Sequence, residues 1–124
     1  MLFIVKAAPD VDLYMEWSLV ADGPTYVGNR VQMLSYLGRT DPGRLADTPE
    51  SRLNRADADG TSTRHGPDGV GSWRDSGMVV ANRWLSRDKF PEFMRLYHEV
   101  SERAAYGLLE SLASEEWGHS YEQG

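Results

Sequence analysis

A chain of 124 residues, 40% apolar and without cysteine, has the size of one domain with its own hydrophobic core. The absence of cysteine excludes disulfides, thiolate metal sites and a cysteine nucleophile. A net charge of -6, with six glutamates from Glu99 onward facing Arg103 alone, opposes contact with a nucleic-acid backbone.

Taken in order, LFIVKA (2–7) and DLYMEWSLV (12–20) are rich in strand formers. The second alternates, placing Leu13, Met15, Trp17 and Leu19 on one face and Tyr14, Glu16 and Ser18 on the other. Pro9 and Asp10 between them supply a turn, so the pair reads as an antiparallel hairpin in which Glu16 faces solvent or finds a partner. After ADGPT (21–25), the helical spacing of Val27, Val31, Leu34 and Leu37 predicts a helix stopped by Gly38. Thr48, Pro49 and Glu50 open a short surface helix that runs to Gly60 and offers only Leu53 and Ala56 for burial. Residues 60–76 form a long Gly-rich loop, the kind of segment that is usually functional or disordered. GMVVANRWL (77–85) predicts a third strand.

From Ser86 to Leu112 one amphipathic stripe carries Phe90, Phe93, Met94, Tyr97, Val100, Ala104, Leu108 and Leu112. A helix of about 27 residues is about 40 Å long, more than the roughly 35 Å span of a compact domain this size. It must break near Gly107 or protrude. A protruding end would present Leu108, Leu109 and Leu112 to a second copy in a two-fold homodimer. Residues 114–124 read as a frayed tail. The expected architecture is a single α+β domain spanning 1–124. A small antiparallel or mixed sheet of three or more strands packs on a long C-terminal helix, with one or two shorter helices on the same face.

No apolar run approaches the roughly 20 residues that cross a bilayer, and MLFIV lacks the basic start and full apolar region of a signal peptide. The expected setting is therefore cytoplasmic, without membrane or nucleic-acid partners. Asp57-Ala58-Asp59-Gly60 suggests a calcium loop, but with Gly60 at the sixth position the first is Arg55 and the twelfth Gly66, so carboxylates are missing at both ends. His98 and Glu102 sit four apart, yet no further ligands join them, and no metal or cofactor is expected. Gly69-Val70-Gly71 matches no nucleotide-binding loop. Thr61, Ser62, Thr63, His65 and Asp57 contain the atoms of a nucleophile, a base and an orienter, a combination that common residues in a polar loop also produce.

Arginine outnumbers lysine eleven to two, and Arg39, Arg44, Arg52, Arg55, Arg64 and Arg74 fall in the turn-rich third. Brought together they could grip a phosphate or carboxylate, with Trp73 as a stacking plate. With seven acids in the same stretch, a salt-bridged surface is the competing reading. At DLYMEWSLVADGPT, RLNRADADGTS and RWLSRDKFPEF the chain resembles small uncharacterised proteins of actinobacteria and their phages, a resemblance that implies no substrate, cofactor or catalytic residue. Two functional expectations follow. One is a non-enzymatic accessory module, of phage or host origin, that binds another protein and also itself. The other is a binding domain or small enzyme for an anionic, phosphorylated small molecule, held by Arg55, Arg64, His65 and Trp73 in the loop 54–74.

Overall fold

Side-chain alternation along the first two strands decides the layering. The computed structural model describes residues 2–43 and 47–112. Strands β1 (Leu2–Ala8), β2 (Val11–Ser18) and β3 (Gly23–Gly28) form an antiparallel sheet in that order. One face carries Phe3, Val5, Ala7, Met15, Trp17 and Val27 into the main core. Ile4 and Tyr14 point the other way into a second core. The alternation expected for β2 is therefore present, but both faces are covered, which is why helices lie on both sides and not on one.

Over the second face lie α1 (Arg30–Thr40) and α2 (Pro49–Asp59), which contribute Met33, Leu37, Leu53 and Ala56. Helix α2 follows its sequence signals: the Thr48 hydroxyl accepts the Ser51 N–H, and Gly60 ends the helix at φ 87°. Against expectation, Val27 belongs to a strand and the helix begins only after Asn29. Tyr26 and Val27 favour extended backbone, and Asn29 closes a capping box with Gln32. Gly38 then lies inside α1, and Val31 is exposed.

The main core is closed by the hairpin of β4 (Gly77–Val80) and β5 (Arg83–Ser86), and by α3 (Phe90–Glu99) and α4 (Glu102–Tyr106). The single strand expected over 77–85 is this hairpin. Ala81 and Asn82 form its two-residue turn, both at positive φ. The expected long helix is likewise two short ones. Ser101 adopts extended backbone and its hydroxyl accepts the Ala104 N–H, capping a new helix.

This break moves the buried stripe by one residue. Phe90, Phe93 and Met94 are fully buried, Val100 is 65% exposed, and Ala105 and Leu109 enter the core in place of Ala104 and Leu108. Gly107 ends α4, and the chain turns back so that Glu110 pairs with Trp84 of β5. Leu109 is thus buried in its own domain, with Leu108 and Leu112 half-buried. The protruding helix that motivated a homodimer does not form. The expected tail, 114–124, lies outside the described residues, and among those described no helix is long and apolar enough to cross a membrane.

The start of the expected loop, residues 60–62, runs along the outer edge of β1. Lys6 N–H donates to Gly60 O, and Ile4 exchanges bonds with Ser62 through both backbone and hydroxyl. The edge of the sheet is covered in this way, and Thr61, Ser62, Thr63 and Ser72 are buried.

The left-handed conformation costs Ala81 about 1 kcal/mol that asparagine or glycine largely avoids. The double substitution Ala81→Asn, Asn82→Gly installs the pair preferred in such turns. We expect it to raise the unfolding free energy by about 1 kcal/mol in urea titration, and an unchanged midpoint would count against a strained turn.

Candidate functional site

The described arginines of the turn-rich third do not converge, and Arg39, Arg52 and Arg55 lie in helices. Arg52 ties the end of α1 to the start of α2 through Asp41 and Thr48 O. Arg55 donates to Ser62 O at 2.9 Å and pairs with Asp47 at 2.8 Å. Arg74 is exposed and pairs loosely with Asp68, and Arg39 reaches Ser35. Arg44 lies outside the described residues. Arg64 and His65 are both exposed, with no side-chain hydrogen bond among the described residues. Ser62 holds its hydroxyl on the Ile4 N–H, and no hydrogen bond joins it to His65.

Trp73, the remaining residue singled out in this loop, does serve as a stacking plate, for a cation of its own chain. Its indole N–H donates to Ala58 O at 3.0 Å, and its ring packs on Gly60, where an added Cβ would lie 2.8 Å from the indole. The Arg87 guanidinium carbon sits 4.9 Å from the Trp73 ring and 4.3 Å from the Phe90 ring. Its Nε donates to Ser72 O (3.0 Å), Nη1 to Ala7 O (2.9 Å) and Nη2 to Lys6 O (2.7 Å). Burial pushes the Arg87 pKa down to about 10, against the opposing pull of the Asp75 charge.

Around this stack lies an open groove of about 620 Å³. Its walls come from the β1–β2 turn (Ala7, Ala8, Pro9), the loop (Trp73, Asp75, Ser76) and the entry to α3 (Arg87, Asp88, Pro91). Three segments thus supply an apolar floor, one half-buried cation and two carboxylates. Sequence reasoning missed Arg87 because it falls outside the arginine-rich third. Its acceptor at Lys6 is 81 positions away, a distance no local pattern reports.

A second polar cluster joins the sheet to α2. The Asp57 carboxylate accepts from Tyr14 Oη at 2.6 Å, Lys6 Nζ at 3.0 Å and Arg30 Nη1 at 2.9 Å, while Arg30 Nη2 donates to Asn54. Asp57, the third position of the supposed calcium loop, is therefore committed to its own chain. Burial raises the Asp57 carboxyl pKa, but the Tyr14 and Lys6 hydrogen bonds and the Lys6 and Arg30 charges outweigh it, holding the carboxyl below its ordinary value. Burial and the bond to Asp57 push the Tyr14 phenol up. Among the described residues no three carboxylate or imidazole groups are placed to hold a metal ion. Comparison with family models, with curated proteins and with solved structures finds no match to this chain.

Lysine keeps the charge at position 87 but cannot span three carbonyls. Arg87→Lys is expected to lower the unfolding free energy by about 2–4 kcal/mol, and a loss near zero in urea titration would remove Arg87 as the tie between loop and sheet. Asp57 gives a pH signature. A carboxyl whose folded pKa is depressed stabilises the fold above its unfolded value, and that contribution is lost as pH falls through the folded value. Wild-type stability should therefore fall more steeply below about pH 4 than that of Asp57→Asn. Parallel acid limbs in denaturation curves of the two proteins would contradict this.

Proposed function

We propose that the protein is a small, non-catalytic, cytoplasmic interaction module whose docking surface is the groove beside Trp73 and Arg87. The observation that supports this most is the immobilised Trp73–Arg87 pair beside an apolar floor of Ala7, Pro9 and Pro91. Tryptophan and arginine are the side chains that most often anchor protein interfaces. Here their hydrogen bonds hold them in place before any partner arrives, so little ordering cost remains at binding. The openness of the groove favours a polypeptide over a small molecule, because small-ligand sites enclose most of the ligand surface. The acidic rim residue Asp88 and the net charge of -6 favour a partner segment with basic side chains.

Pro9 and Asp88 are exposed and line the groove from two different segments. Substituting both with arginine should block docking without disturbing either core. In affinity capture from host-cell lysate, wild type and a remote control, Val31→Arg, should retain the same proteins, at least about ten-fold more than Pro9→Arg, Asp88→Arg retains, which corresponds to about 1.4 kcal/mol. Equal retention by the groove variant would remove the groove as the docking surface.

A further inference from the structure

Resting on the docking reading above, we propose that the groove receives the carboxy-terminal end of a partner polypeptide, with its free α-carboxylate on Arg87, its apolar last side chain against Trp73, Pro9 and Pro91, and a basic residue upstream facing Asp88.

A guanidinium carries five N–H donors, and three atoms of Arg87 each spend one on a backbone carbonyl. Two donors remain on a side chain that lines the groove. No described carboxylate lies within ion-pair distance of Arg87 to complete it. Asp75, whose Oδ2 accepts the Gly71 N–H, acts on it only through its charge. Three carbonyl dipoles and two aromatic faces hold the cation and Asp75 compensates it only through its charge, so an arriving carboxylate would be its first direct ion-pair partner.

The walls narrow the source of that carboxylate. Apolar surface from Ala7, Pro9, Trp73 and Pro91 lies directly beside the single guanidinium. A group that fills both must carry an anion and an apolar side chain on neighbouring atoms. The last residue of a polypeptide does so, with both on one carbon. An internal aspartate or glutamate presents its anion at the tip of its own side chain, and apolar surface of that size must come from a different residue. Capture of a chain end in this way is a recurring mode of peptide recognition. Asp88 on the rim adds preference for lysine or arginine a few residues upstream.

Two pools of the same random tetrapeptides, one ending in free carboxylate and one in carboxamide, test this on the whole protein by affinity selection and mass spectrometry. The acid pool should be retained at least ten-fold better, enriched in apolar last residues with upstream lysine or arginine. Pro9→Arg, Asp88→Arg should abolish that retention. Equal, groove-dependent retention of both pools would overturn the carboxylate inference and leave the docking reading standing. So would retention of neither pool, provided lysate capture still depended on the groove. Displacement of the acid pool by millimolar inorganic phosphate alone would reassign the site to small anions. Lysate capture insensitive to the groove substitutions would remove the docking reading itself.

Discussion

Everything in this domain follows from β2 being buried on both faces. A strand with Met15 and Trp17 in one core could leave its other face to solvent, yet here Tyr14, Glu16 and Ser18 are also buried. Polar groups removed from water must be bonded, and each of these is. Tyr14 donates to Asp57, the Ser18 hydroxyl accepts the Ala21 N–H, and the Glu16 carboxylate accepts from Thr25 (2.5 Å) and Tyr36 (2.8 Å). The partners come from the β2–β3 turn, β3, α1 and α2, so the polar demands of one strand fix where the second layer sits. Tyr36 in turn stacks on Tyr26 at 4.1 Å between centroids, so the same contact carries apolar packing.

Arginine does similar work along the surface of the chain. Arg52, Arg55 and Arg87 each end on backbone carbonyls and bind together segments that have little apolar surface of their own. The difference lies in the counter-charge. Arg52 and Arg55 have Asp41 and Asp47 within ion-pair distance, whereas Arg87 has two rings and a more distant Asp75. Structural satisfaction and electrostatic neutralisation are thus separated at Arg87, and the imbalance lies on a groove wall.

Local patterns reported much of this architecture and long-range pairing reported the rest. β1, β2 and α2 were legible because alternation, a Thr48 cap and a Gly60 stop are encoded within a few residues. β3 was not, because Val27 satisfies a helical spacing as well as a strand, while the decisive signal was the Asn29–Gln32 capping pair. The break at Ser101 was masked by a stripe that continues across it in sequence although the backbone does not. Trp73 could be named from its surroundings, but its cation could not, since the β4–β5 hairpin lies between them in sequence. Arg55, Arg64 and His65 are neighbours in sequence, but Arg55 lies on α2 and is held by Ser62 and Asp47, while Arg64 and His65 are exposed in the loop.

The tie between Arg87 and the carbonyls of Lys6 and Ala7 also orders events in time. Strand β1 is made first, and its outer edge needs Gly60 and Ser62 while its final carbonyls need residue 87. Contacts so distant in sequence slow the search for the native state, because loop closure must precede them. Until Gly60 and Ser62 join it, the outer edge of β1 is open, and pairing with a foreign strand is the competing outcome in that interval.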